Sequence, residues 1–279
     1  MARGWYITSH MSLDGEEILE ELRRLYDAYV DAYRLEDGSL PRLMQLKRAH
    51  TGFVVKNAAM IADGESFSPL ERETALAAAL LHDTGRYEQL KRYNTFKDSE
   101  SVDHAVFSHD IVKASGWLEK AGVSRPDAVL AAVLYHNRRD LPGGLDPVTL
   151  AAAQTVRDAD KLDIFRVLEH EVANTDWRKD SRAFWNLDAK ALPNPEVVAS
   201  IMAGMPVDYQ AIRSLSDFVL IQVGWMVSGL YYETSRKACA GRGHLAYRRD
   251  FLHQLTSDPS IDRVCDLAER VLSKGGASR

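Results

Sequence analysis

Histidine and aspartate recur in this sequence at positions that face the interior, where such side chains are uncommon. His50 shares a helical face with Phe53 and Val54, and the adjacent His82 and Asp83 end a run of alanine and leucine. Aspartate is rarely buried unless it is paired or bound to a metal. The residue types and their positions therefore predict a site for a divalent cation.

Further residues of the same kind lie on other predicted helices. His104, His136 and Asp160 each share a helical face with apolar residues, whereas Asp158 is predicted on a more exposed side. His109 lies about 140° around the helix from His104, so the two cannot face one site. Any one of these residues alone could be an ordinary hydrogen-bonded core residue.

Together they argue for a metal, because five helices would each present a metal-type ligand to an apolar face. Burying so many polar groups without compensation would cost several kcal/mol, and a shared metal removes that cost. Imidazole and carboxylate ligands suit Mn, Fe, Ni, Mg or Zn, and the sequence does not distinguish among them.

The elements that must position these residues are helices, and the predicted fold is all-α. Apolar residues recur at three-to-four spacing, and no stretch alternates apolar and polar residues long enough to predict a sheet. Gly85 is predicted to end the helix before it. The predicted helices span residues 15–35, 40–62, 69–81, 104–120, 126–138, 148–173, 214–237 and 245–272.

The domain organisation is predicted as a metal-binding core with flanking helical parts. An N-terminal helical segment covers residues 1–40, the core residues 41–175, an extension packed on the core residues 176–272, and a disordered tail residues 273–279. A domain boundary near residue 175 is the alternative. The aromatic-rich run FVLIQVGWMVSGLYYE in the extension predicts either core or a dimer interface, which leaves a homodimer open.

The order of these residues resembles the HD superfamily of metal-dependent phosphohydrolases, whose motif is H…HD…D on a helical bundle. His50, the pair His82 and Asp83, and Asp160 follow that order, and the resemblance covers roughly residues 45–170. HDTGR at the end of an Ala/Leu helix, followed at this distance by DADKLD, is a specific pattern. The resemblance implies an HD-type bundle in which these four residues are metal ligands.

Two more histidines match the extra ligands of binuclear members of that superfamily. The resemblance implies that His104 and His136 hold a second metal and that Asp83, as the HD aspartate, bridges both. We therefore favour two metal ions over one.

The activity implied by the resemblance is hydrolysis of a phosphate ester of a nucleotide or related small molecule. A divalent cation lowers the pKa of bound water, and the resulting hydroxide attacks phosphorus while Asp83 orients it. Arg86 and Lys161 are expected to assist catalysis and to bind the phosphate, with a surface salt bridge as the alternative for each. Asn137 is a further substrate contact or a helix cap.

Two other functions fit the same residues. A minority of HD proteins use this ligand set to hold two irons and activate oxygen on a small polar substrate. A non-catalytic nucleotide-binding sensor is the third reading. The GYP element of the cyclic-dinucleotide phosphodiesterase branch is absent, which disfavours that activity.

Composition excludes several broad classes of protein. The chain of 279 residues has a formal net charge of -5 and a pI near 6.0, which disfavours a stable nucleic-acid partner. Cys239 and Cys265 form no CxxC pair, so a zinc–thiolate site has no support. The sequence begins without an apolar signal and has no evident membrane span, so we expect a cytoplasmic protein with a small phosphorylated substrate and no membrane partner.

Overall fold

The computed structural model describes residues 15–179 and 182–273. The first 14 residues and the predicted tail after Ser273 lie outside the described residues. Within the described residues the chain has no β-strand, which confirms the all-α prediction. No helix of this part is long and apolar enough to cross a membrane. The helices are α1 Gly15–Asp31, α2 Arg42–Gly64, α3 Pro69–Leu81, α4 Gly85–Tyr93, α5 His104–Ser115, α6 Trp117–Ala121, α7 Pro126–Tyr135, α8 Pro147–Asn174, α9 Pro195–Met202, α10 Leu215–Gly224, α11 Glu233–Gly241, α12 His244–Leu255 and α13 Ser260–Ser273.

Several helices begin at capping residues that the sequence provides. Ser68 and Glu71 bond each other's backbone N–H groups at the start of α3, a capping box. The Asp146 side chain accepts two backbone N–H groups at the start of α8, where Pro147 is the first helical residue, and Asp103 does the same for α5. These caps set where each helix starts and therefore which of its faces points inward.

The longest helix, α8, lies at the centre of the molecule. It packs against α2, α3 and α7, while α5 packs on α7 and α4, and α1 packs on α3 and α6. Buried side chains occur all around α8 rather than on one stripe. A helix covered on all sides carries apolar residues on more than one face.

The chain after α8, residues 182–273, is called the C-terminal segment below. Its helix α10 packs with α9, α12 and α13. The C-terminal segment contacts the rest of the chain mainly at α8 and α2. Glu169 of α8 accepts hydrogen bonds from His244 Nδ1 at 2.7 Å and Arg248 Nη1 at 2.8 Å on α12. Arg248 is fully buried and also donates to Gln222 of α10.

The apolar part of the aromatic-rich run belongs to the interior. The residues concerned are almost completely buried within this chain and join its hydrophobic core: Val219, Leu220, Ile221, Val223, Met226 and Leu230.

The predicted helix over residues 214–237 is interrupted. α10 ends at Gly224, a π-helical turn covers Trp225–Gly229, and α11 begins at Glu233. The backbone N–H groups that follow the turn donate to the Asp158 carboxylate of α8 instead of continuing a helical ladder. The helix therefore ends just after Gly229, where hydrogen bonds to Asp158 replace the helical ladder.

Two other predicted helices are divided by residues that disfavour helix. The helix predicted over 245–272 breaks at residues 256–259, where Pro259 lacks an N–H group for the helical ladder. The helix predicted over 104–120 is divided at Gly116, which has a φ of 65°.

The prediction that Gly85 ends a helix was wrong. α3 already ends at Leu81, and Gly85 is the first residue of α4, a helix that was not predicted, like α9. A Cβ at Gly85 would lie 2.7 Å from Ser108 N and 3.1 Å from His104 O. Glycine is required here because α4 begins in direct contact with the backbone of α5.

Candidate metal centre

The six histidine and aspartate residues proposed from the sequence come together in the interior. All are buried except Asp160, whose side chain keeps 18% of its exposure. They come from five places in the chain: His50 from α2, His82 and Asp83 from the turn after α3, His104 from the start of α5, His136 from the residue after α7, and Asp160 from the middle of α8.

Asp83 lies between two pairs of histidines. Its Oδ2 atom is 3.6 Å from His50 Nε2 and 3.5 Å from His82 Nε2. Its Oδ1 atom is 3.7 Å from His104 Nε2 and 3.9 Å from His136 Nε2. Each trio of side chains could hold a metal ion, and the two trios share Asp83.

Asp160 adds a second carboxylate to the first trio. Its Oδ1 atom is 3.1 Å from His50 Nε2 and 3.8 Å from His82 Nε2. These two ring nitrogens are buried and have no hydrogen-bond partner among the described residues. A buried polar atom without a partner is costly, and a divalent cation between these donors would remove that cost. The donor set therefore fits a metal ion.

Carboxylates hold two of the rings from behind. Asp163 accepts from His50 Nδ1 at 2.7 Å and is itself held by Arg166. Asp98 lies 2.5 Å from His104 Nδ1. A carboxylate behind a ligating imidazole fixes its tautomer and raises its basicity, which is the usual arrangement at metal sites.

Backbone carbonyls do the same for the other two histidines. His82 Nδ1 donates to Ala79 O at 2.8 Å, and His136 Nδ1 donates to Val133 O at 2.7 Å. With the proton on Nδ1, the lone pair of each ring is on Nε2, the atom that faces Asp83.

Comparison with known protein families places this cluster in a defined domain. Residues 48–164 match the family model of the HD domain, and that range contains all six residues.

Residues 48–164 form an HD domain.

The resemblance found in the sequence is thereby confirmed. HD domains are typical of metal-dependent hydrolases, and the match covers residues 48–164 without naming a substrate. No curated protein and no solved structure matches the chain.

Two cationic side chains contact Asp83 directly. Lys47 Nζ is 2.6 Å from Asp83 Oδ2, and Arg86 Nε is 3.4 Å from Asp83 Oδ1. The guanidinium of Arg86 also donates to Asp98 Oδ1 at 3.0 Å and to Phe96 O at 2.7 Å. Arg86 is therefore held firmly at the edge of the centre, close to where the sequence analysis expects a phosphate contact.

Lys47, Asp98 and Asp163 were not identified from the sequence. Lys47 lies three residues before His50 on α2, so helical spacing could have revealed it. Asp163 likewise follows Asp160 by three residues on α8. Asp98 had no such signal, because it reaches His104 through a loop whose course only the folded chain defines.

The charge state of the HD cluster suits metal binding. Burial lowers the pKa of His82, and burial together with the charge of His104 lowers the pKa of His136 to about 3. Burial opposes ionisation of Asp83, but the charges of Lys47 and His82 hold its pKa well below the ordinary value. Neutral imidazoles and an ionised carboxylate are the forms that bind a metal.

The pKa of His50 shifts in the opposite direction to those of His82 and His136. Burial would lower its pKa, but the carboxylates of Asp160 and Asp163 outweigh burial and raise it. Burial likewise opposes ionisation of Asp160, and the neighbouring His50 ring lowers the pKa of that carboxyl. His50 and the two carboxylates therefore form a compact charged group on one side of the HD centre.

Lys161 and Asn137 lie next to the HD cluster but outside its ligand set. Lys161 Nζ is 5.8 Å from the centroid of the Tyr231 ring, and burial with the charge of Arg157 lowers its pKa to about 8. Asn137 Nδ2 donates to Asp103 Oδ1 at 3.0 Å, while its Oδ1 atom is buried without a described partner. Both side chains keep capacity for a further ligand.

His109 and Asp158 lie near the cluster in sequence but are not among its ligands. His109 bonds Asp110 at 2.9 Å and lies outside the metal-binding groups, whereas His104, at the start of the same helix, belongs to one of them. Asp158 was predicted on an exposed side, and this was wrong. It is fully buried, and its carboxylate accepts the backbone N–H groups of Tyr231 and Tyr232 at 3.0 Å.

Proposed function

We propose that this chain is a metal-dependent phosphohydrolase that cleaves a phosphate ester of a nucleotide or related small molecule. The observation that supports it best is Asp83, which has a histidine pair on each side and the cations Lys47 and Arg86 against its carboxylate. Metal-binding donors and phosphate-binding cations thus meet at one residue.

The proposal assigns the metal ligands as two overlapping sets that share Asp83. When bound, the divalent cations supply a Lewis acid and lower the pKa of water, toward about 7 in favourable cases. The donor types fit Mn, Fe, Ni, Mg or Zn. The two sets are His50, His82, Asp83 and Asp160 for one metal, and Asp83, His104 and His136 for the other.

The proposed role of the flanking cations is to hold and neutralise the phosphoryl oxygens. Arg86 is fixed by Asp98 and by the Phe96 carbonyl, so its charge needs little reorganisation when the substrate binds. Lys47 presents an ammonium from the opposite oxygen of Asp83, and Lys161 follows Asp160 on α8. Charge developing on phosphorus-bound oxygens would be stabilised from several directions.

The experiment that tests the proposal measures metal content and phosphate release together. Protein purified without added metal is analysed for elements, and inorganic phosphate is measured with a panel of nucleotides. We expect close to two metal ions per chain and phosphate release from at least one nucleotide. In the same assay, His104→Ala tests the set of ligands that includes His104. His109→Ala is its matched control, because both histidines are on α5 but only His104 faces Asp83.

Other outcomes would contradict the proposal and support a different function. Two irons with no phosphate release would favour an HD-type di-iron oxygenase. Tight nucleotide binding without turnover across several metals would favour a non-catalytic sensor.

A further inference from the structure

The C-terminal segment joins the HD domain two residues away from a proposed metal ligand. Asp158 of α8 is fully buried and accepts the backbone N–H group of Tyr231 with both oxygens and that of Tyr232 with Oδ2, all at 3.0 Å. These bonds hold the chain directly after the π-helical turn Trp225–Gly229. π-Helical turns inside helices occur frequently at functional sites.

This attachment brings the Tyr231 ring against two cations of α8. Lys161 Nζ and Arg157 Cζ each lie 5.8 Å from the ring centroid. The ring is not covered, since Tyr231 remains 38% exposed. Lys161 forms no ion pair with any described residue, although it directly follows Asp160. An uncommitted ammonium and an exposed aromatic ring therefore lie side by side at the metal centre.

A second tyrosine of the C-terminal segment approaches the same place. Burial of the Tyr209 hydroxyl and the negative charge of Asp160 raise the pKa of Tyr209 to about 12. The Trp225 side chain of the π-helical turn also hydrogen-bonds that hydroxyl. A Cβ at Gly229 of the same turn would lie 3.6 Å from Lys161 Cε, so Tyr209, which is 47% exposed, contacts the turn that flanks Lys161. Its ring centroid is 6.4 Å from that of Trp185.

The backbone at Trp185 is in an uncommon conformation that supports this arrangement. Trp185 and Asn186 have φ values of 57° and 55°, which non-glycine residues seldom adopt. The Trp185 ring packs edge-to-face on Phe218, with the ring centroids 5.0 Å apart. Strain of this kind persists where surrounding structure enforces it and is found often at ligand sites.

We propose that Tyr209 and Tyr231 bind a flat aromatic ring of the substrate while Lys161 binds its phosphate. This inference rests on the proposed phosphohydrolase function and narrows its substrate to phosphate esters that carry an aromatic ring, as nucleotides do. Any nucleobase can stack on an aromatic side chain, because every base has a flat π face. An adjacent cation matches the attached phosphate. A sugar phosphate without a ring would use the cation but leave both tyrosines without contact.

The test compares ligands that differ only in the aromatic ring. The full-length protein as purified is titrated with the four ribonucleoside 5′-monophosphates and with ribose 5-phosphate. Affinity is measured by calorimetry, or as KM where the compound is hydrolysed. We expect at least one nucleotide to bind about tenfold tighter than ribose 5-phosphate, from the usual strength of base stacking.

Substitutions then assign that difference to the two tyrosines. Tyr231→Leu and Tyr209→Leu should each weaken nucleotide binding about tenfold and barely change ribose 5-phosphate binding. Tyr231→Phe and Tyr209→Phe should retain the preference. Folding is protected at position 231 because its bonds to Asp158 use only the backbone. Tyr93→Leu, an exposed tyrosine of α4, is the matched control and should change neither affinity.

The results also separate this inference from the proposed function. Equal binding of ribose 5-phosphate and every nucleotide, binding of none of these compounds, or equal loss of both ligand types in the leucine variants would overturn the inference. Ring-dependent binding without phosphate release would support the inference and contradict the hydrolase. Phosphate release from ribose 5-phosphate at the same rate as from nucleotides would support the hydrolase and contradict the inference.

Discussion

Asp83 is the single residue that connects both halves of the candidate metal centre. Its two carboxylate oxygens face different histidine pairs, and each oxygen also contacts a different cation. A carboxylate in this position can serve two metal ions at once, whereas each histidine can serve only one. The residues of the centre should therefore differ in how much metal their loss removes.

Asp83→Ala should remove both metals and the activity, while His136→Ala should remove one metal and leave the other. His136 belongs only to the second trio, so its loss leaves every ligand of the first trio in place. Elemental analysis of each purified variant gives the stoichiometry, and far-UV circular dichroism should show helicity mostly intact. An unchanged metal content in His136→Ala would exclude the binuclear arrangement.

Lys47 is expected to contribute to phosphate binding rather than to metal binding. Its ammonium contacts the oxygen of Asp83 that faces His50 and His82, so it supplies charge at the centre without being a ligand. Lys47→Met should weaken inhibition by inorganic phosphate about tenfold, or about 1.4 kcal/mol, with no loss of metal affinity. Lys56→Met, an exposed lysine of the same helix, is the control. Weaker metal binding in Lys47→Met would contradict this role.

At the scale of elements, the centre depends on a close contact between the backbones of two helices. α4 begins at Gly85, whose N–H donates to Ser108 Oγ of α5 at 2.9 Å. The same helix α5 begins with His104, so the packing of α4 on α5 sets the position of that ring. A change at the contact should alter both stability and the second trio.

Gly85→Ala should destabilise the protein by about 1–3 kcal/mol, because the added methyl group forces α4 and α5 apart. The new Cβ would be 2.7 Å from Ser108 N, a backbone atom that cannot rotate away. Urea unfolding measures the change, and metal analysis should show loss from the trio that contains His104.

Gly52→Ala is the control for this substitution. Gly52 lies inside α2, with no described atom within 4 Å of the added Cβ. Alanine should therefore stabilise the protein by about 0.5–1 kcal/mol, since glycine is unfavourable inside a helix. If both variants were equally stable, the close contact of α4 and α5 would not constrain the fold.

At the scale of the whole molecule, α8 joins the HD domain to the C-terminal segment. One part of its surface carries Asp160 toward the centre, while Asp158 and Glu169 receive hydrogen bonds from the C-terminal segment. Glu169 accepts from both His244 and Arg248, and Arg248 is fully buried. The contact is therefore ionic at its middle and should respond to pH.

Glu169→Gln should reduce stability by about 2 kcal/mol at pH 7, a typical value for a hydrogen bond to a charged group. Burial opposes ionisation of Glu169, but the hydrogen bonds and charges of His244 and Arg248 lower its pKa below the ordinary 4.5. A lowered carboxyl pKa stabilises the fold above the ordinary value, and the stabilisation disappears as pH falls through the lowered one. The difference between wild type and variant in urea unfolding should thus be constant near neutrality and narrow below about pH 4.5. A constant difference down to acid pH would show that the Glu169 charge does not stabilise the fold.

The sequence by itself determined the helical class and the residues that gather at the centre. Helical periodicity was sufficient for His50 and Asp160, because each lies on a face that its own helix directs inward. The HD pair and its distance from the DADKLD helix were sufficient for the family. Local spacing decides such features, since it is set by the geometry of a single helix.

Only the tertiary structure decided which residues surround that centre. Asp158 was expected on a more exposed side of its helix, yet the C-terminal segment covers it. Asp98 and Tyr231 reach the surroundings of the centre from loops and turns, where no periodic pattern relates one residue to another. Contacts between distant parts of a chain depend on how complete elements pack, and a single sequence records only the faces that they bury.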